Sequence, residues 1–368
     1  MRVGKSRVAR DVAWTALACA CVFVCVPGIF DGLFETRMAM AQTQTKNIRS
    51  RNDVRPFAVW LHKYDWEAGV SSVRQHADSI AEVGPALYQI TADASIQQID
   101  GVPVDSPELF VITQRNHITL RPLLMNVLSD GTHPEFVRAL FSDTALRQVH
   151  VAGFQTLVQS HGYDGIDLDY EGFNISELPA LAELVEEVAK ALHAIGKTLA
   201  VDIEVQSNDD CLPSWQRIGV VADKVRIMTY GQTKLTPGPL ADLSWIQSNI
   251  TRALKVIPVH KLVQGIAVYG LSWSGQGNAV RGSGTWATYT NQAEQKHAVL
   301  DRDEETKTAW YTFQDTTVWF EDHESVAMKI ALGRSLGLQH IALWRLGGED
   351  PEIFSEYIGL PRAPVGRK

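Results

Sequence analysis

The chain has almost no cysteine where a folded body would use it. Cys19, Cys21 and Cys25 fall within the first thirty residues, and Cys211 alone lies beyond them. One thiol makes no internal disulfide framework, so the body must be held by its core. Long Lys/Arg runs are also missing, and the formal charge is -8. That argues against nucleic acid or an anionic membrane surface as partner and favours a neutral or weakly charged ligand. No internal repeat and no second-domain module, such as a lysin motif, is found. Charged residues make up only 21%, too few for disorder beyond the ends. What the chain has is 368 residues at 45% hydrophobic content, enough for one large core of the size common among single α/β barrels.

The N-terminal segment reads as an address. Basic Met1-Arg-Val-Gly-Lys-Ser-Arg-Val-Ala-Arg10 precedes an apolar run over 12–30, broken only by Thr15, Pro27 and Gly28. A basic flank followed by an apolar run describes an export signal. Ala39-Met40-Ala41 offers a small-x-small cleavage site before Gln42, although Asp31, Glu35 and Arg37 intervene. An uncleaved membrane tether is the main rival, since the run nearly spans a bilayer; lipid modification of Cys19 is the third reading. Each version puts the body outside the cytoplasm, in the periplasm, cell envelope or medium. The division expected is export segment or anchor 1–41, linker 42–55, barrel 56–360 and tail 361–368.

From Pro56 onward, short β-rich runs alternate with helical stretches, the pattern of a parallel α/β fold. Strands are expected at 57–61, 86–90, 118–125, 165–170, 198–205, 225–230, 262–269 and 340–344. The stretch 178–195 carries Leu181, Leu184, Val185, Val188 and Leu192 at helical spacing. Eight strands with intervening helices predict a closed (β/α)8 TIM barrel; a doubly wound open sheet is the alternative. The stretch 270–315 is rich in Gly, Ser, Thr, Trp and Tyr, and reads as an insertion of hairpins and loops after the seventh strand.

The most informative stretch is Asp164-Gly-Ile-Asp-Leu-Asp-Tyr-Glu171. Asp167, Asp169 and Glu171 are spaced by two, so on a strand they share one face, and Ile166, Leu168 and Tyr170 share the other. In a barrel this places the carboxylates inside, rising towards the C-terminal end of the strand, where such folds put their chemistry. Like charges this close resist joint ionisation, so one of the group should hold a proton, as a general acid must. The residues alone leave three readings: acid catalysis, a hard-cation site and a solvated acidic face.

DGIDLDYE matches the Asp-Gly-x-Asp-x-Asp-x-Glu motif of glycoside hydrolase family 18, the chitinase family, at every specified position. Met228-Thr-Tyr230 resembles that family's sixth-strand Met-x-Tyr, and Trp344 lies where its eighth-strand tryptophan floors the sugar site. Thr317-Val-Trp-Phe-Glu-Asp322 and Ala342-Leu-Trp-Arg-Leu-Gly-Gly-Glu-Asp-Pro351 resemble the branch containing spore-cortex N-acetylglucosaminidases. Two positions depart: Gly231 stands where a polar residue usually follows Met-x-Tyr, and Leu123-Leu-Met-Asn126 replaces the third-strand Ser-x-Gly-Gly of chitinases.

The resemblance implies a retaining, substrate-assisted glycosidase acting on β-1,4-linked N-acetylglucosamine glycans, peptidoglycan foremost. A chitinase and a non-catalytic, chitinase-like glycan-binding protein are the alternatives. It implies Glu171 as acid and base, and Asp169 as the residue that binds the acetamido N–H and stabilises the oxazolinium. Asp167 would share a proton with Asp169, and Tyr230 would orient the acetamido carbonyl. Trp344, Asn126, Asp164 and Glu204 are the expected substrate-binding residues, with Asp164 off the alternating register and read as structural or tuning. Trp273, Trp286 and Tyr289 are candidates for outer subsites. No cofactor and no metal are expected, and a monomer is.

Overall fold

A computed structural model describes residues 55–104, 106–232, 236–274 and 280–355. The expected export segment and its three cysteines, the linker up to 54, Gly275, Gly277 and the tail lie outside the described residues. Among the described residues no helix is long and apolar enough to cross a membrane.

Eight parallel strands close on themselves: β1 (Phe57–Leu61), β2 (Ile80–Ile90), β3 (Leu123–Met125), β4 (Gly165–Asp169), β5 (Thr198–Ile203), β6 (Lys224–Met228), β7 (Leu262–Ala267) and β8 (His340–Leu346). Each pairs with the next, and β1 pairs in parallel with both β2 and β8. The closed barrel is therefore the fold, and the open-sheet alternative falls away. Helices pack outside. Leu178–His193 is representative: its Leu181, Leu184, Val185, Val188 and Leu192 are all buried, each stabilising by about 1.5–3 kcal/mol relative to exposure.

Strand bounds differ from expectation for physical reasons. β2 begins six residues early, at Ile80 rather than 86, because Glu82 and Gly84 point into a polar barrel interior and imitate a loop in the sequence. The strand expected over 118–125 is broken into Thr119–Leu120 and Leu123–Met125, since Pro122 has no N–H for the ladder. Arg55, assigned to the linker, is instead buried and donates to Asn116 O at 2.6 Å.

The insertion after β7 is a small layer of its own. Its antiparallel strands run in the order Val280–Thr285, Tyr269–Ser274, Thr316–Phe320, Ala309–Phe313 and Asp301–Arg302. Hairpins were expected here, but a helix, Trp286–Lys296, is also present and is capped by Thr285. Tyr289, Tyr311, Val318 and Phe320 form a separate hydrophobic cluster between helix and sheet. Tyr289 thus packs the insertion, and Trp273 is fully buried, so neither offers a ring to an outer sugar.

Candidate active site

The alternation of β4 works as the pleat requires. Ile166, Leu168 and Tyr170 face the helices and are buried; the Tyr170 hydroxyl meets His150 Nε2 at 2.7 Å. Asp167 and Asp169 face inward, 0% and 4% exposed. Glu171 lies two residues beyond the last strand residue, Asp169, and is half-buried at the C-terminal mouth.

Below the mouth lies a column of charge that the sequence reading did not find. Arg226 of β6 is ion-paired to both Glu82 and Asp167, and Arg121 is ion-paired to Glu82. Asp202 Oδ1 of β5 lies 3.6 Å from Arg226. Trp60 Nε1 donates to Asp167 Oδ2 at 2.8 Å, and the guanidinium sits 5.3 Å from the Trp60 ring centre. Gly84 makes room, because a Cβ there would lie 2.9 Å from Trp60 Cδ1 and 3.3 Å from Asp167 Oδ2. A signal for Arg226 and Asp202 did exist: each shares strand parity with a flagged residue, Tyr230 and Glu204 respectively.

The acids of this column divide by their surroundings. Burial pushes Glu82 up, but Arg121 and Arg226 outweigh it and bring the carboxyl down to about 2. Burial raises Asp167 to about 6, with Arg226 opposing and Glu82 reinforcing. Asp169 is raised well above the carboxylate range, by burial first and then by Glu171, Asp202, Asp167 and Glu204. Asp202 is raised too, by burial and then by Asp167. Asp167 Oδ1, Asp169 Oδ1 and Asp202 Oδ1 are buried without a hydrogen-bond partner among the described residues. Orphaned buried oxygens are costly unless they carry or share protons. One of Asp167, Asp169 and Glu171 was expected to hold a proton; burial and the neighbouring acids favour the protonated form most at Asp169 and Asp202.

Glu171 is held by its backbone. Asn126, fully buried at the end of β3, accepts from Glu171 N at 2.8 Å and donates to Glu171 O at 2.9 Å. Glu204 Oε2 accepts from the next amide, Gly172 N, at 2.7 Å. Asn126 and Glu204, expected to touch sugar, therefore fix the peptide on either side of the Glu171 side chain. Asp164 requires correction as a substrate contact. It lies at the opposite, N-terminal end of β4, where its Oδ2 accepts from Leu120 N at 2.8 Å and pins strand register.

Tyr230 is half-buried beside these acids, and burial, then Asp169, Asp202 and Glu171, raise its pKa, so it remains a phenol able to donate. Its ring passes over Gly265, where a Cβ would lie 3.2 Å from Tyr230 Cε1. Gly231, the departure from Met-x-Tyr-polar, has φ +76°, a left-handed turn that glycine adopts without strain. Trp344 is half-buried, edge-on to Trp60 at 5.6 Å between centroids. Tyr269, at the root of the insertion, was missed; burial first, then Glu321 and Glu171, raise its pKa. Among the described residues no group of three or more His, Cys, Asp or Glu side chains is arranged to hold a metal ion. The counter-charge to Asp167 is a guanidinium.

Residues 126–349 match the family described as Glycosyl hydrolases family 18. The chain belongs to this family. Among curated relatives, an uncharacterized glycosylase of Bacillus subtilis, YvbX, is 25% identical over 212 residues, 54% of this chain and 62% of that protein. The cortical fragment-lytic enzyme of B. subtilis is 24% identical over 290 residues, 74% of this chain and 67% of that protein. The chain spans only 62% and 59% of the first two curated relatives it matches. A solved class V chitinase from Pseudomonas fluorescens Pf-5 shares the fold with a TM-score of 0.74 at 22% identity, covering 82% of this chain and 98% of that one.

Proposed function

We propose that this family 18 protein is a retaining, substrate-assisted glycosidase that cleaves β-1,4-linked N-acetylglucosamine glycans, with peptidoglycan as substrate. The observation that carries the reading is the pair of hydrogen bonds between Asn126 and the Glu171 peptide, which holds the backbone of Glu171 two residues beyond the buried Asp169. In the first step the substrate's acetamido oxygen attacks the anomeric carbon while Glu171 gives its proton to the departing glycosidic oxygen. Tyr230 donates to the attacking carbonyl and orients it. Asp169 receives the acetamido N–H and, once ionised, stabilises the positive oxazolinium, while Asp167 takes up the proton that Asp169 sheds. Water then attacks the same carbon and returns a proton to Glu171. Two inversions give net retention, the substrate-assisted exception to the two-carboxylate scheme.

Within peptidoglycan, the chemistry of the reactive position selects which of the two sugars it takes. N-acetylmuramic acid carries an anionic lactyl ether, a poor fit in an acid-lined site on a protein of net charge -8, whereas N-acetylglucosamine is neutral. N-acetylglucosamine then occupies the reactive position and the muramic sugar leaves. The cortical fragment-lytic enzymes among the relatives support peptidoglycan as the substrate. Export through the N-terminal segment would bring the barrel to such a substrate. The test is mass spectrometry of reduced digestion products of sacculi, where reduced N-acetylglucosamine is expected at the new ends and NMR should find the β-anomer first. Reduced muramic acid would make it a muramidase; rapid cleavage of chitin oligomers with untouched sacculi would make it a chitinase. Binding without cleavage of either would leave a glycan-binding protein.

A further inference from the structure

A line of rings leads out of the site. Trp60, which bonds Asp167, meets Trp344 at 5.6 Å; Trp344 meets His62 at 6.3 Å; His62 meets Tyr64 at 4.7 Å. The last of these is 67% exposed. Tyr64 sits just past the C-terminal end of β1, so it borders the same mouth as Glu171 and Trp344. Two cations flank it: Lys63 Nζ lies 5.6 Å and Arg345 Cζ 5.8 Å from the ring centre. Arg345 is ion-paired to Asp65, whereas Lys63 makes no ion pair among the described residues.

The platform is fixed rather than loosely draped. Lys63–Asp65 forms one turn of 3-10 helix, started by His62 Nδ1 accepting from Tyr64 N at 3.4 Å. Its Asp65 packs on Gly347, which has φ +120° and where a Cβ would lie 2.3 Å from Asp65 Cβ. Only glycine both adopts that backbone and leaves that space.

We propose that Tyr64, Lys63 and Arg345 form a second sugar position, next to the one over Trp344, that takes a carboxylate-bearing hexosamine. An exposed aromatic face stacks on the apolar face of a sugar ring, and the flanking cations supply the charge that a muramic lactyl group or its attached peptide would meet. The inference rests on the proposed reaction, and it gives the site an alternation matching its polymer. Acids surround the reactive position, where a neutral sugar belongs, and cations surround its neighbour, where an anionic one belongs. His62 reports on the same field: burial first, then Arg345 and Lys63, lower its pKa to about 4. His62 is therefore neutral near pH 7, and the positive charge at this rim belongs to Lys63 and Arg345.

The test compares peptide-free glycan strands, alternating N-acetylglucosamine and N-acetylmuramic acid, with chitooligosaccharides of equal length. The quantity is the ratio of kcat/KM on acidic to neutral strands. Lys63→Glu should lower that ratio about fivefold, the scale of an exposed charge pair, while Lys63→Arg should keep it within twofold of wild type, about the noise of such a term. Added salt should shrink the difference between Lys63→Glu and wild type. Equal loss on both substrates, or loss on neither, overturns the proposal. If acidic strands are not cleaved at all but chitooligosaccharides are, the peptidoglycan reading fails on its own. The subsite is then judged by the Kd of acidic strands for Glu171→Gln with and without Lys63→Glu, where no difference overturns it.

Discussion

Asn126 is bonded twice to Glu171, once to its peptide nitrogen and once to its carbonyl oxygen. The side-chain amide copies the donor–acceptor pair of a strand neighbour, so β4 is held in ladder geometry one step beyond where its true partner, β3, has ended. On the proposed reaction, the acid is thereby aimed by a residue that need not touch the sugar.

Replacing Asn126 with Ala should leave the barrel folded, at a cost of about 1–3 kcal/mol for two unpaired backbone groups. Turnover should fall by up to about a hundredfold, since small misplacements of a catalytic group have that effect. Asn126→Asp keeps the acceptor and loses the donor, and should lie between. Steady-state kinetics beside thermal melts decide the matter; full turnover in Asn126→Ala would show that the clamp does not aim the acid.

Glu171→Gln keeps the shape and the Asn126 bonds, which run to backbone, but cannot transfer a proton. The rate should fall by about a hundred- to ten-thousandfold with little change in Tm. Near-normal activity of this variant on any substrate of the wild type would remove Glu171 from its proposed role.

Arg226→Met should be the most damaging single change in the interior. It strips the counter-charge from Asp167 and one of two from Glu82, and breaking a buried pair from one side costs about 3–5 kcal/mol. Replacing Asp167 with Asn at the same time should recover part of the loss. Denaturant midpoints of the single and double variants measure this, and strict additivity would mean that the pair is not coupled.

The pH dependence of stability follows from the divided acids. Asp167 is raised to about 6, and Asp169 and Asp202 are also raised, so the folded protein keeps protons that the unfolded chain releases. Their stabilisation is complete below the ordinary carboxylate pKa of about 4 and is lost as pH rises through about 6 and beyond. Glu82 runs the other way: lowered to about 2 from 4.5, it contributes above 4.5 and fades as pH falls towards 2. His62, His150 and His340, each lowered to about 4, work against this up to about pH 6.5, where they become neutral in the unfolded chain as well. Above about pH 6.5 the raised acids act without that opposition, so Tm should drop from there to about pH 8. Asp202→Asn should flatten the drop; an equally steep slope in that variant would mean Asp202 is ionised throughout.

Much of this was legible in the sequence because it obeys a period. The two-residue spacing of Asp167 and Asp169 put them inside the barrel, and the helical spacing from Leu181 to Leu192 buried that face. What escaped broke the pattern of its element. Glu82 put a charge where a strand core was expected, so half of β2 read as loop. The helix Trp286–Lys296 has few buried residues, Tyr289 and Ala293, and carries no apolar stripe to announce it. Asn126 and Glu204 were found but given sugar contacts, because no spacing rule reveals a side chain that bonds a backbone forty-five or thirty-two residues away. Asp164 was drawn into the site by its motif, although its place before β4 puts it at the other end of the barrel.

The interior column sets terms for anyone who would rebuild this barrel. Arg121 and Arg226 can balance two carboxylates, and Glu82 and Asp167 already use them. Asp169 and Asp202 must then enter the fold as neutral acids, and any transplant that brings only part of the set leaves an uncompensated charge in a dry place. Loops at the mouth could be exchanged one at a time to alter what the protein grips. The charges beneath them would have to be moved as a single unit, or not at all.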